Sequence, residues 1–277
     1  MTGRKSANSS SGRQRDGRSI VIATVSTVVV FGLLGWIIVS APNWPQVSAQ
    51  FFDPELFGAS LEDLIPAFWK NVQIALIAEV LILVAALGLA IARGAPGPAL
   101  LPVRFLATAY VDLFRAVPGI VVIFAFGLGI PALDLPGVPN DPTFWAVVTL
   151  TLLYSAYVCE VYRSGLESIH PSQEAAARSL GLSHLQTLRY VLVPQGVRRV
   201  IPPLLNDFIG LTKDTVLVSF IGVVEIFRTA QIKSYATFNF TPYVALAVVF
   251  IIVTIPMARF VDRLAARDRA RSQTGVR

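Results

Sequence analysis

The longest uncharged segment of the chain lies near its N-terminus and restricts the fold more than any other feature. Residues 19–52 contain no charged side chain, and residues 20–41 alone exceed the roughly 20 apolar residues that cross a bilayer as a helix. The rest of the chain has the same character, because 54% of its 277 residues are hydrophobic and only 14% are charged. This balance places the chain among membrane proteins and not among soluble domains.

Five further segments have the length and composition of membrane-spanning helices. They cover residues 71–92, about 105–131, 143–160, 200–224 and 234–258. The fifth of the six helices, residues 200–224, contains Asp207, Lys213 and Asp214, each of which costs about 2.5 to 3.5 kcal/mol at the centre of an isolated helix. We therefore expect protein or water to shelter it, in an all-α membrane protein with about six transmembrane helices.

The lysines and arginines of the loops predict the orientation of these helices. With the N-terminus inside, the inner segments hold nearly all arginines, and the outer ones hold only Lys70, Arg228 and Lys233. Because inner loops are enriched in basic residues, both termini are predicted to be cytoplasmic. The net charge of +6 then reflects topology, and no nucleic-acid partner is expected.

A cleavable signal peptide is the alternative interpretation of the first apolar segment, since arginines precede it and Val47, Ser48 and Ala49 are similar to a small-residue cleavage site. The apolar region of a signal peptide is roughly 7 to 15 residues long, so the longer segment here favours a retained helix. The single cysteine, Cys159, excludes an internal disulfide and is interpreted as a packing residue; no metal site is predicted.

Residues 171–195 form a polar stretch between two apolar segments, and their capping residues predict two short helices. Pro171 suits the first turn of a helix, and Gly181 suits the position just beyond its end. Ser183 followed three residues later by Gln186 is a capping box that starts a second helix.

The second helix is predicted to be amphipathic, with Leu185, Leu188 and Leu192 on one face until Pro194 ends it. A mere connection between two spans is one interpretation of the stretch. The other is a docking surface for a soluble partner, because connections of this length are usually functional or disordered and this composition is not that of a disordered segment.

The same stretch resembles the EAA loop of ABC importer permeases. Ala175-Ala176-Ala177 is followed after three residues by Gly181, and after nine more by Val191-Leu192-Val193-Pro194. Three other segments are similar to motifs of the polar amino-acid branch of this family, which contains histidine and glutamine permeases. They are Phe114-Arg115-Ala116-Val117-Pro118, SAYVCEVYRSG at 155–165 and KDTVLVS at 213–219.

The resemblance implies a permease core at residues 65–264, with the EAA loop at 171–195. Residues 1–18 would then be a basic cytoplasmic arm, 19–64 an additional transmembrane helix with an outer segment, and 265–277 a basic cytoplasmic tail. It also implies a multi-pass protein of the bacterial inner or plasma membrane that forms the translocation path of an amino-acid importer.

The resemblance implies several partners: a cytoplasmic ABC ATPase dimer, an extracytoplasmic solute-binding protein and a second permease subunit, identical or related. The chain contains no Gly-x-x-x-x-Gly-Lys-Ser/Thr loop, so ATP and Mg would be held by the ATPase, with no cofactor on this chain and no enzymatic activity of its own. The sequence leaves open which amino acid is carried.

Coupling to the ATPase is expected at the EAA loop. The candidate residues are Glu174, Ala175, Ala176, Ala177, Gly181, Pro194 and Gln195. We expect the three alanines to make the close contact, Gly181 the turn, and Pro194 with Gln195 the return into the membrane. Ala175 stands where the family has its glutamate, and Glu174 lies one residue earlier.

Polar residues within the spans are candidates for the transport path, because burying them is costly. These candidates are Glu79, Arg115, Tyr157, Glu160, Asp207, Lys213 and Asp214. Arg115 lies eleven residues after Arg104, about 16 Å along a helix, which predicts a position near mid-membrane. It is expected either to hold a substrate carboxylate or to pair with Glu160 or Asp112.

Glu79 is expected to face a water-lined cavity or a partner such as Lys213. Intramembrane carboxylates also suit an ion-coupled secondary transporter, which is the alternative function, although such a carrier needs no docking helix. An intramembrane enzyme has little support, because neither His-Glu-x-x-His nor Gly-x-Ser-x-Gly occurs in the sequence.

Overall fold

The structure is a computed structural model that describes residues 9–95 and 97–274. Within these residues it is helical and contains no strand. It divides into two units, residues 1–53 and 54–277. The first contains α1 (Ser9–Val39) and α2 (Trp44–Phe51). The α helices of the second are α3 (Pro54–Gly94), α4 (Leu101–Ala116), α5 (Gly119–Gly127), α6 (Pro142–Glu167), α7 (Pro171–Ser179), α8 (His184–Thr187), α9 (Val193–Asp214), α10 (Ile226–Thr237) and α11 (Thr241–Thr274).

The boundaries between predicted segments shift where helices continue through them. α1 begins at Ser9, within the predicted basic arm, and residues 1–8 of that arm lie outside the described part. The outer segment predicted to end at residue 64 ends at Asp53, because residues 54–64 are the first turns of α3. The predicted tail at residue 265 is a continuation of α11 as far as Thr274.

Among the described residues, four helices are long and apolar enough to cross a membrane, and the number rises to six when each of two bent helix pairs counts as one span. The continuous candidates include Val21–Val39 in α1, Pro142–Gly165 in α6 and Thr241–Arg267 in α11. The fourth lies in Trp44–Gly94. The prediction of about six spans therefore holds, but two of them are not straight helices.

The span predicted at 105–131 is broken after Ala116, and its two parts meet at 109°. Val117 has an extended backbone, with φ −87° and ψ 132°. The residue before a proline is sterically driven out of the helical region, so Pro118 determines the place of the break. The carbonyl of Pro118 then accepts from the amide of Val121 at the start of α5.

The helix predicted at 200–224 is also interrupted. α9 ends at Asp214 and a 3₁₀ helix, Thr215–Ile221, follows it. Gly222 then takes φ +98°, and α10 leaves the break at 54°. The last span starts at Thr241, not at residue 234, because residues 226–237 form the separate helix α10.

Two apolar clusters hold the second unit together, and α3 contributes to both. The larger includes Ile82, Val111, Ile123, Leu150 and Leu211, from α3, α4, α5, α6 and α9. The smaller includes Leu64, Ile226, Ala230, Ala245 and Val249, from α3, α10 and α11. The break after α9 thus lies where the chain passes from one cluster to the other.

A buried polar network fixes this break. The side-chain amide of Asn71 in α3 donates to Glu225 Oε2 at 2.8 Å and to Thr215 Oγ1 at 2.9 Å. The side-chain carbonyl of Asn71 accepts from the backbone amide of Ile226 at 3.1 Å. Glu225 caps α10, because its carboxylate accepts from the backbone amides of residues 227 and 228. Asn71, Thr215 and Glu225 are fully buried. The network therefore supplies hydrogen bonds that water cannot supply there.

We expect Asn71→Ala to destabilise the protein by about 1 to 3 kcal/mol, because it leaves buried partners unsatisfied. Thermal unfolding of the purified protein in detergent measures the effect. Gln73→Ala is the matched control, since Gln73 lies on the same helix and is exposed. Equal unfolding midpoints for the two variants would show that the network does not hold the break.

Candidate functional site

The first helix of the polar stretch, α7, has well-defined caps at both ends. At its start His170 Nδ1 accepts from the amide of Ser172 at 3.2 Å. At its end Gly181 has φ +84°, its amide donates to the Arg178 carbonyl, and the amide of Leu182 donates to the Ala177 carbonyl. This pair of bonds is a Schellman motif. The predicted helix and the predicted role of Gly181 in the turn geometry are confirmed.

The capping box of the second helix is also confirmed. The amide of Ser183 donates to Gln186 Oε1 at 2.9 Å, and the amide of Gln186 donates to Ser183 Oγ at 3.3 Å. The predicted end of this helix at Pro194 is wrong, because α8, a π-helical segment (Leu188–Leu192) and α9 follow one another without a break. Proline lacks an amide hydrogen and therefore interrupts the hydrogen-bond pattern of a regular α-helix. The wider π turn before Pro194 changes that pattern locally, and the helix continues through the proline.

The exposed face of α7 is small and partly apolar. Ala175 and Ala176 are exposed, and Leu180, one turn after Ala176, is 83% exposed. We call these three residues the coupling surface. Ala177 is buried within the chain, which contradicts its expected place in a contact with a partner. Glu174 is half-buried and lies 4.0 Å from Arg178.

Two further features of the stretch concern its return to the membrane. Gln195 Nε2 donates to Gln173 Oε1 at 3.4 Å, which ties the start of α9 to α7. Tyr190, in the π-helical segment, is 65% exposed, and the guanidinium of Arg189 lies 5.8 Å from its ring centre. The sequence analysis did not select Leu180 or Tyr190, although both are large apolar side chains in an otherwise polar stretch. The predicted leucine face rests partly on Leu185 and Leu188, whose side chains lie outside the described part.

Glu160 is the centre of a cluster of arginines within the membrane domain. Its Oε1 pairs with Arg93 of α3 and lies 3.5 Å from Nη1 of Arg115 of α4, and its Oε2 accepts from Arg163 at 3.3 Å. Arg163 also lies 3.3 Å from Glu167. One carboxylate thus links α3, α4 and α6. Of the partners predicted for Arg115, the structure selects Glu160.

Arg115, predicted to lie near mid-membrane, contacts Glu160 near the C-terminal ends of α3 and α6. It shares an oxygen of Glu160 with Arg93, which lies in the last turn of α3. Glu160 precedes the end of α6 by seven residues, about 10 Å along the helix. Helical side chains point toward the N-terminus of their helix, so the long Arg115 side chain reaches back toward the start of α4. Its side chain is 45% exposed.

The remaining candidates lie in or near a second, acidic group. Glu79 is half-buried and lies close enough to Asp207 for the two charges to repel. Of the two surroundings expected for Glu79, a water-lined cavity or a partner such as Lys213, the second is not found: Lys213 is exposed, and no ion pair joins the two among the described residues. One carboxylate oxygen of Asp207, Oδ2, is buried and has no hydrogen-bond partner in the described part of the chain.

Asp214 accepts a hydrogen bond of 2.8 Å from the hydroxyl of Tyr154. Tyr154 was not among the sequence candidates, because it lies between apolar residues of α6, six residues or nearly two helical turns before Glu160. The Tyr154 ring lies 6.0 Å from that of Tyr157, which is 38% exposed. The described residues contain no group of three side chains placed to hold a metal ion.

Comparison with known proteins adds to this geometry. Residues 98–269 match the family described as "Binding-protein-dependent transport system inner membrane component". The chain is 34% identical over 215 residues to the "Glutamate transport system permease protein GluC" of Corynebacterium efficiens, covering 74% of this chain and 93% of that protein. It is 32% identical over 167 residues to the "Probable glutamine ABC transporter permease protein GlnM" of Bacillus subtilis, covering 60% and 76%.

A solved structure described as an "amino acid ABC transporter with histidines" is similar in fold, with a TM-score of 0.66 and 27% identity. The similarity covers 77% of this chain and 94% of that one. The expected fold class is therefore confirmed.

We expect Glu160→Met to destabilise the protein, because the guanidinium of Arg93, with only 12% of its side chain exposed, loses its partner. Removing one partner of a buried ion pair lowers the free energy of unfolding by about 3 to 5 kcal/mol. Because Glu160 is partly exposed, we expect a loss of about 3 kcal/mol or less for this variant. Denaturant unfolding in detergent measures the loss. Glu167→Met, at a site 62% exposed, should cost less than about 1 kcal/mol.

The double variant Arg93→Met/Glu160→Met distinguishes the pair from simple packing. Since it removes both charges, it should regain part of the stability that Glu160→Met loses. A double variant less stable than either single one would contradict the assigned pairing.

Proposed function

The chain belongs to the family of binding-protein-dependent transport system inner membrane components, and from this premise we propose that it is the permease subunit of an ATP-driven amino-acid importer. The observation that carries the proposal is the combination of α7, a capped helix with an exposed face, and a polar cluster buried among the spans. The relatives named above are described as amino-acid permeases. The comparisons give no support to an ion-coupled carrier.

The proposed location is a bacterial inner or plasma membrane, which the chain crosses several times with both termini in the cytoplasm. The apolar spans require a membrane, and the arginine-rich segments favour the cytoplasmic side. The extra helix α1 is apolar along Val21–Val39, and none of that stretch is buried within the chain. It therefore suits contact with lipid.

Energy is proposed to come from a cytoplasmic ABC ATPase dimer that receives the coupling surface. A face of two alanines and Leu180 offers little steric bulk and one apolar anchor, which suits insertion into a groove of a soluble protein. ATP and Mg would be held by that ATPase. Delivery of the amino acid is assigned to an extracytoplasmic solute-binding protein, and a second permease subunit completes the path.

The amino acid is proposed to meet the cluster around Glu160. Arg115 is the arginine least committed to that cluster, because its distance to Glu160 is 3.5 Å and nearly half of its side chain is exposed. A guanidinium can bind a carboxylate through two parallel hydrogen bonds. The substrate carboxylate would take the place of Glu160 on Arg115. Tyr157 and the acidic group of Glu79, Asp207 and Asp214 remain candidates along the same path.

We expect Gly181→Asp to abolish recovery of the ATPase and uptake, while the protein still inserts into the membrane. A side chain at φ +84° strains the turn that presents the coupling surface. The measurement is a mild-detergent pull-down of the tagged protein, with identification of any ATPase that carries a phosphate loop. Wild-type protein should retain this ATPase.

Gly137→Asp is the matched control for that experiment. Gly137 has φ +81° and open space around it, so the substitution introduces a similar strain in a predicted outer loop. It should leave the ATPase bound. If both variants lose the ATPase, the effect is on folding, and if neither wild type nor variant recovers one, the coupling proposal fails.

We expect Arg115→Gln to raise the KM for amino-acid uptake by about tenfold or more, because a hydrogen bond to a charged group contributes roughly 1.5 to 3 kcal/mol. Proteoliposomes that contain the assembled transporter are the assay, with and without internal ATP. Arg228→Gln, at an exposed site in the first turn of α10, is the control and should leave KM unchanged. Uptake that continues without ATP and stops with an ionophore would support the ion-coupled carrier instead.

A further inference from the structure

An apolar cavity of about 1250 Å³ lies between α3, α4, α6 and α9, apart from the acidic group described above. Its walls are mostly aliphatic. We call it the inner groove. Leu83, Leu87 and Ile91 of α3 form one wall, and Val197, Ile201 and Leu204 of α9 form the other.

The inner groove has the length of one membrane leaflet. Its wall on α3 runs from Leu83 to Gly94, and its wall on α9 from Val193 to Leu204. Each wall covers eleven steps along a helix, or about 16 Å. The hydrocarbon core of a bilayer is about 30 Å thick, so one leaflet occupies about 15 Å. In the predicted topology Gly94 and Val193 lie at the cytoplasmic end.

Arginines surround the cytoplasmic end of the inner groove. Arg93 and Arg163 line it, and Arg104 donates to the carbonyl of Ala95, another lining residue, at 3.3 Å. With Arg115, this group has four arginines for the two carboxylates of Glu160 and Glu167. An excess of two positive charges remains, which favours an anionic group at this end.

The walls of the inner groove are incompletely covered by the chain itself. Leu87 is 50% exposed, Ile91 65% and Val197 49%. Away from the arginines the walls are mostly aliphatic, so a charged group of a free amino acid would have few hydrogen-bond partners there. An acyl chain buries the same walls at no such cost.

We propose that the inner groove binds an anionic phospholipid of the cytoplasmic leaflet. One acyl chain lies between α3 and α9, and the phosphate faces Arg104 and Arg163. Basic pockets between helices on the cytoplasmic side are typical sites for anionic headgroups. This inference depends on the membrane location of the chain and not on the proposed substrate.

Site-specific photo-crosslinking tests the inference. A benzophenone amino acid replaces Leu87 in the groove or, as a matched control, Leu81. Leu81 is 46% exposed and lies on the opposite side of α3, since two residues from Leu83 correspond to about 200°. The full-length chain is reconstituted with its partners in vesicles that contain equal amounts of phosphatidylglycerol and phosphatidylcholine. After irradiation, mass spectrometry of the protein identifies the crosslinked lipids.

At position 87 the adducts should be enriched in phosphatidylglycerol, while position 81 should capture both lipids equally. Arg104→Gln and Arg163→Gln should each reduce the enrichment about fivefold, as expected for the loss of one basic residue near the surface. Arg228→Gln should leave it unchanged.

Several outcomes would overturn the inference. Equal lipid ratios at positions 87 and 81 would show that no anionic lipid is selected. An adduct at position 87 with a second permease polypeptide would identify the inner groove as a subunit interface. Loss of the lipid adduct on addition of an amino acid alone would identify it as part of the substrate path.

Discussion

Backbone hydrogen bonding in hydrocarbon is the constraint on which this structure depends. A membrane offers no water to unpaired amides and carbonyls, so each span must pair its own backbone groups or find partners in neighbouring helices. The chain breaks its helices at two places nonetheless. At Pro118 the new helix begins at once, and the amides of Val121 and Val122 donate to the proline carbonyl. Beyond Gly222, Asn71 and Glu225 supply the partners. The buried network of Asn71, Thr215 and Glu225 thus lies beside a place where regular helix is lost.

Arginine distribution gives the molecule a second level of organisation. Arg93, Arg104 and Arg163, which help to predict the cytoplasmic side, also lie in the cluster around Glu160 or at the end of the inner groove. With Arg115, the cluster joins α3, α4 and α6. In the acidic group Asp207 and Asp214 lie on α9 but Glu79 lies on α3, so α3 carries both an acidic and a basic member of the interior.

Local features were predictable from the sequence, and tertiary ones were not. The turn at Gly181 and the capping box of Ser183 and Gln186 depend on neighbours a few residues apart, so their pattern is sufficient. Pro118 is a local signal for a helix break, but the apolar residues on both sides of it predict one continuous span. The pairing of Asn71 with Glu225 joins residues 154 positions apart, and nothing in their local sequence indicates it. Lys213 was one of two alternatives for the surroundings of Glu79, and its exposure in the structure is not indicated by its local sequence.

The continuity of helix from His184 to Asp214 has a mechanical consequence. With 31 residues it is a rod of about 46 Å whose foot lies in the cytoplasmic stretch and whose far end carries Asp207 and Asp214. A rotation of about 10° about the foot would displace the far end by about 8 Å, on the scale of a whole side chain. The π-helical segment beside Pro194 lies within this rod. Its stiffness therefore determines how much of a rotation at the foot is transmitted to Asp207 and Asp214.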